Sequence, residues 1–472
     1  MSLVTIQVGQ CGNQIGAALY NTLNAERPFG GERYLFGEDG KARCVLVDGE
    51  AKVIGALLRD ANSPFKVQNA FFEHSGRGNN WALGYYGPCN DFGNVLVDNA
   101  MEGFCKELES ASMYRGCVLL HSLCGGTGAG LGSRIMEEVR DTIGHGAPLM
   151  SVSVMPFVTG ELPLQHYNSA LCLSRVLSEA DTSILFSNDS IMSICAKRLA
   201  KRGSSNVAKP VDIAASDVRI SDLNKYIAMA LAGLVQPCSV GSGKAGVPHP
   251  LDLHSLAASL SPSRDSKFLD LWSVQEQAAS SSAAAAASSS LRTTASFSAR
   301  PWQHLGAELS GELPKFGPRW EEEAAYDPDD ALGGGGGGGM APPKRIRTVA
   351  YQLWARGRDA GAAGQEGAAA AVGAVERALE VVTWAPPPLS PPLLTSGLQP
   401  LQQLRRSLTL AASRSGHVER FKGVASRCEA MLSAGAYLHW FTKYGMEDGE
   451  IGEAVEELRS HISSAEDVFG SD

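Results

Sequence analysis

The chain has 472 residues, 44% hydrophobic and 19% charged. That balance excludes a wholly disordered or fibrous protein, and the length allows about three domains. Lys plus Arg number 41 against 50 acids, a net charge of -9, and no apolar run reaches the roughly 18 residues of a membrane-crossing helix, so neither a nucleic-acid nor a membrane partner is expected.

The opening MSLVTIQVGQ alternates apolar and polar residues without a basic leader, which predicts a strand from Leu3 to Gly9 and no signal peptide. Ile15, Leu19 and Leu23 then recur as one helix face. The strand-then-helix unit repeats as 44–48 before 53–59, 117–123 before 131–143, 150–157 before 164–177, and 183–186 before 190–199. Such alternation predicts an α/β fold, a mostly parallel sheet covered by helices. Ser221 reads as the N-cap of a helix over 222–235 that Pro237 stops.

Composition then shifts. Residues 278–290 are all Ala or Ser, and 333–339 are all Gly. Neither tract can bury enough apolar surface to offset ordering entropy, so both read as dispensable inserted loops. Strands are expected at 345–354 and 407–411, and helices at 368–382, 418–433 and 447–464, the last with an acidic outer face of the ordinary solvated kind. The expected division is 1–220, a core helix over 221–237, a second α/β unit over 238–382 carrying both inserts, and 383–472 ending in a helical hairpin.

The strongest chemical signal is CVLLHSLCGGTGAGLG over 117–132, a strand running through a glycine cluster into a helix. Glycines let the backbone approach closely, so several N–H groups and the positive end of a helix can face phosphate oxygens. Thr127 adds a hydroxyl, and with Gly126→Val the fold is expected to survive while nucleotide retention falls. The cluster is neither GxGxxG nor a P-loop, and Gly241 to Ala245 only mimics the end of one. A second glycine- and amide-rich turn, Gly9 to Gly16, also follows a strand. Asp48 and Glu50 follow a third strand, where such acids serve either a Mg²⁺ ion or a helix cap. Ten cysteines without CxxC and ten histidines without HExxH predict reduced cytosolic thiols and no structural metal.

GQCGNQIG near the N-terminus, GGTGAGLGS where GGTGSG is usual, and Gly78-Asn-Asn-Trp-Ala82 together resemble the tubulin family in order and spacing. The likeness fades through the inserts and returns at Gly435 to Gly445, and residues 187–197, 78–88 and TKYGMEDGEI look nearest to the delta branch. The resemblance implies a Rossmann-like GTP-binding domain, a central helix, a second α/β domain and C-terminal helices. It implies that Cys124, Gly125, Gly126, Thr127, Gly128, Ala129 and Gly130 wrap the phosphates of GTP or GDP beside Gln10, Cys11 and Ser122. Asn79 and Asn80 would close over the γ-phosphate, Asp48 and Glu50 would lie near Mg²⁺, Glu161 near the ribose, and Asn188 and Asn224 would read guanine. Without the resemblance, Asn224 reads as a first-turn helix residue.

Two departures bear on mechanism: Ile220 stands where an aromatic ring usually stacks on the base, and Gln165 where an acid is usual. Hydrolysis in the family needs an acid from the next subunit, and Asp252 is the only carboxylate in the corresponding segment, 249–256. The implied partners are other tubulins or microtubules at centrioles and basal bodies, in the cytoplasm and cytoskeleton. Two rival readings are a self-contained doubly wound nucleotide enzyme and a regulatory GTP-binding module that never assembles.

Overall fold

The computed structural model describes residues 2–26, 33–88, 94–159, 162–204, 217–236, 238–240, 247–249, 251–277, 302–317, 344–357, 365–385, 393–396 and 404–470. Strands β1 (Ser2–Val8), β2 (Cys44–Asp48), β3 (Ala70–Phe72), β4 (Tyr114–Ser122), β5 (Leu149–Met155) and β6 (Thr182–Ser187) are all parallel, in the spatial order β6-β5-β4-β1-β2-β3. β7 (Cys238–Val240) and β8 (Val247–His249) form a separate antiparallel pair. The main sheet continues past β6 into β9 (Phe268–Gln277), β13 (Leu404–Arg414), β10 (Arg347–Gly357) and β11 (Glu380–Val381), with β12 (Leu393–Ser396) also on β10. The join is a parallel register of Ser183 with Phe268 and Ile184 with Leu269, so one α/β sheet crosses the described residues.

Side chains of a strand alternate between faces, and each face here has its own core. Val118 and Leu120 point into a layer formed with α1 (Gly9–Glu26) and α8 (Ile220–Val235), while Cys117 and Leu119 point into the opposite one. That second layer contains α4 (Val95–Glu109), α5 (Gly132–Ile143), α6 (Gln165–Glu179) and the C-terminal helices α12 (Gly416–Ser433) and α14 (Glu450–Gly470). Short helices α2 (Ala51–Arg59) and α3 (Trp81–Tyr86) lie at the carboxyl edge, and α7 (Asn188–Ser204) follows β6 directly. Beyond α8 come α9 (Leu253–Leu260), α10 (Trp302–Glu312), α11 (Gln365–Glu376) and α13 (Leu438–Thr442).

Three local expectations change. The cap of α8 is Arg219, not Ser221: Asp222 accepts from the Arg219 backbone N–H at 3.0 Å, which fixes the helix start two residues earlier. The helix expected over 368–382 is α11 and stops at Glu376, because the next residues turn so that Glu380 and Val381 can pair with β10. The C-terminal hairpin carries an extra helix, α13. Both low-complexity tracts, 278–290 and 333–339, lie outside the described residues.

Candidate phosphate-binding site

Three turns meet at the carboxyl edge of the sheet, each made by a strand running straight into a helix. Gly9 opens α1 with φ +73, a conformation that favours glycine, and a Cβ placed on it would stand 3.0 Å from the Gly128 nitrogen. After β4, Gly126–Leu131 winds as a π-helical turn that continues into α5, so a single helix begins at the glycine cluster. The N–H groups of its first turn have no carbonyl one turn back to receive them and can meet an anion there. A Cβ on Gly49 would stand 3.2 Å from Thr127 Oγ1, which joins the acidic turn after β2 to the glycine cluster.

The glycines of the cluster have different reasons. Gly125 faces open space, with nothing within 4 Å of its missing Cβ. A Cβ on Gly126 would stand 2.2 Å from the Arg77 carbonyl oxygen, and one on Gly130 would stand 2.1 Å from that of Trp81. Those two glycines therefore admit the backbone of 77–81, and Gly126→Val would wedge that segment away, contrary to the expectation that the fold tolerates it. Ala129 is fully buried and its N–H is already given to the Gly125 carbonyl at 3.2 Å.

Asp48 ends β2 almost buried, with Oδ1 accepting from the Glu50 N–H at 3.3 Å. Burial first, and the charge of Glu50 second, push its carboxyl up to about 6. Glu50 is exposed and caps α2 by position only, without a side-chain cap bond. A buried acid beside a second acid, in a turn packed against the glycine cluster at Thr127, suits a divalent cation held between carboxylates and phosphates.

Gln10 is exposed on the first turn of α1 and Cys11 is half-buried beside it. Burial, and then the charge of Cys124, push the Cys11 thiol up to about 12, so it lines the site as a neutral group. Ser122 and Cys124 touch through Oγ and Sγ at 3.4 Å. Asn79 is exposed at the rim with φ +50, while Asn80 is buried, its Oδ1 capping α3 through the Leu83 N–H at 3.1 Å. Asn188 is the first residue of α7, at the carboxyl end of β6, and Asn224 Nδ2 donates to Gln14 Oε1 of α1 at 3.1 Å. Ile220 is exposed and Gln165 is buried, its amide donating to the Phe157 carbonyl at 3.3 Å. Glu161 lies outside the described residues.

Asp252 is elsewhere. It precedes α9, accepts from Ser255 Oγ at 2.7 Å, and is followed by Leu253, whose Cδ1 lies 2.9 Å from where a Cβ on Gly116 would be. Gly116 precedes Ser122 by six residues of β4, roughly 20 Å of strand, so Asp252 stands at the opposite edge of the sheet from the glycine cluster.

Two buried residues that no local pattern marks hold the site together. His121 lies under the glycine turn: its Nδ1 can only donate to the Gly128 carbonyl, at 3.1 Å, so Nε2 is the acceptor for the hydrogen-bonded Ser151 and Ser153 hydroxyl pair, one of which donates to it; each oxygen lies 2.9 Å away. Burial lowers its pKa to about 4, which keeps the ring neutral. Asn168 of α6 accepts from the Trp81 N–H at 3.0 Å and donates to the carbonyls of Asn79 and Cys124, both at 2.8 Å.

Residues 2–196 match the Tubulin/FtsZ family, GTPase domain. Over 98% of the chain and 99% of each relative, the sequence is 26% identical to the Tubulin delta chain of Macaca fascicularis and 25% identical to that of Homo sapiens. It is 31% identical to the Tubulin gamma chain of Eremothecium gossypii over 43% of this chain and 47% of that one.

Proposed function

We propose that the chain, whose residues 2–196 match the Tubulin/FtsZ GTPase domain, is a tubulin-superfamily protein that binds GTP or GDP with Mg²⁺ at the three-turn edge and acts as a delta-type tubulin. Its place is then the cytoplasmic cytoskeleton, in building centrioles, basal bodies and triplet microtubules, and so cilia, beside other tubulins. The observation that carries the reading is the approach of Thr127 Oγ1 to Gly49, which brings the glycine cluster beside the turn of Asp48 and Glu50.

In this reading the N–H groups from Gly125 to Gly128 and the Thr127 hydroxyl hold the phosphates, with Gln10, Cys11 and Ser122 alongside. Asp48 and Glu50 hold Mg²⁺, which neutralises phosphate charge when bound. Asn188 and Asn224 read the guanine edge, since an amide both donates and accepts, and Glu161 contacts the ribose. Ile220 offers an apolar edge in place of a stacking ring, which favours looser nucleotide binding. Hydrolysis is completed by the next subunit, because Asp252 of one chain lies at the opposite edge of the sheet from its own phosphates, the edge that a neighbour stacked end to end would meet.

Titration with a fluorescent GTP tests the binding. GTP and GDP should displace the probe and ATP should not; displacement by ATP alone would exclude the assignment. Cosedimentation with αβ-tubulin microtubules tests the assembly role, and its absence in every nucleotide state would favour a non-assembling binding module.

A further inference from the structure

We propose that Asn168 is a positioning residue that makes the site distinguish a nucleoside triphosphate from a diphosphate. The proposal rests on the GTP reading above and deepens it.

Asn168 is fully buried near the start of α6 and uses all of its amide. The oxygen takes the Trp81 N–H at 3.0 Å, and the two N–H groups go to the Asn79 and Cys124 carbonyls, at 2.8 Å each. The pairing fixes the amide's orientation, because two carbonyl partners require the nitrogen and one N–H partner requires the oxygen. One side chain thus ties the 79–81 segment to the glycine turn across 87 and 44 residues of sequence.

The tied segment covers one end of the cradle. Arg77 Cγ and Thr127 Oγ1 lie 3.3 and 3.2 Å from the same point beside Gly49, next to the acids. Asn79 follows at the rim in the left-handed region, φ +50, and its carbonyl is held by Asn168. Asp48 and Glu50 would hold a divalent cation, whose charge would favour a terminal phosphate at this end. A triphosphate then reaches the 77–79 segment, whereas a diphosphate seated on the Gly125 to Gly128 amides stops short of it. Contact with the third phosphate is favourable only while the segment is fixed, and Asn168 fixes it.

The test compares GTP and GDP affinities in wild type, Asn168→Ala and Asn168→Asp. The aspartate keeps the acceptor for Trp81 and loses both donors. Each variant should weaken GTP by roughly tenfold or more and GDP by less than about threefold, the scale of one or two buried hydrogen bonds. Equal weakening of both nucleotides, or of neither, would overturn the proposal. Hydrogen exchange in wild type reads the same device without a variant: the Trp81 amide should be better protected with a non-hydrolysable GTP analogue than with GDP, and equal protection overturns it. Failure of wild type to bind either nucleotide would instead remove the GTP reading itself.

Discussion

The Asn80 side chain donates to the backbone carbonyl of Trp440 at 2.9 Å, joining residues 360 positions apart. Its oxygen meanwhile caps α3, so one amide fastens the segment beside the glycine turn to the helix that precedes the C-terminal α14. Tyr86, at the end of the same α3, reinforces the join by donating to the Glu450 carboxylate at 2.7 Å. The phosphate edge and the exposed Trp440 ring are therefore mechanically continuous.

Asn80→Ala should destabilise the protein by about 1 to 2 kcal/mol, the loss of a cap together with a tertiary hydrogen bond. Thermal unfolding measures it. Nucleotide addition should also change the emission of Trp440 in wild type, read as the difference from Trp440→Phe because the chain has seven tryptophans. That difference should vanish in Asn80→Ala.

Gly125→Ala and Gly126→Val should part company. Gly125 has open space and an ordinary φ of -90, so alanine should leave the melting temperature within a few degrees while crowding the bound phosphate. Valine at 126 meets the Arg77 carbonyl and should lower stability outright. Melting curves with and without nucleotide separate the two effects.

Acid should loosen the C-terminal helices through His417 and His461. The rings stack at 5.8 Å among Phe268, Phe421 and Phe469, with Asp265 3.6 Å from His461 and Lys267, Arg264 and Arg420 as the nearby cations. Burial lowers them to about 3 and about 4. A histidine depressed in the fold lets the unfolded chain bind more protons, so the stabilisation is complete above about pH 6.5 and is lost as pH falls toward 4. For His461 the loss is on the order of 3 kcal/mol by pH 4. Asp48 works in the opposite sense over the same range, since its raised carboxyl favours the folded state as pH falls from about 6. His461→Gln should therefore flatten the decline of melting temperature between pH 6.5 and 4, and an unchanged slope would assign the acid sensitivity to other groups.

Hydrolysis should rise with subunit association. Asp252 lies roughly 20 Å of strand from its own glycine cluster, and a general base contributes typically 10²- to 10⁴-fold, so a dilute chain should turn over GTP that much more slowly than an assembled one. Turnover per chain measured against protein concentration checks this. A rate independent of concentration would place the whole catalytic set within one chain.

The α/β class and the two glycine turns were legible because their signals are local: alternating strands, a glycine run, then a helical stripe. The reasons for individual glycines were not. Gly126 and Gly130 yield to backbone from 77–81, which the string 124–132 cannot reveal. Asn168 was hidden for a related cause: a lone amide in an apolar helix signals nothing until the fold brings it Trp81, Asn79 and Cys124. His121 likewise reads as part of an ordinary buried strand. The α8 cap lies two residues before the expected one because, although Ser221 is the commoner cap type, Asp222 reaches back to the Arg219 N–H.

Everything proposed for this site depends on guanine-nucleotide binding at the junction of Gly49, Gly125 and Thr127. Its most direct test is the nucleotide released on denaturing purified wild type and Thr127→Ala, separated by chromatography and quantified per chain. GTP or GDP should be found near one equivalent in wild type and clearly reduced in Thr127→Ala, whose fold should be unaltered. Adenine nucleotide in wild type, or guanine nucleotide undiminished in Thr127→Ala, would contradict it.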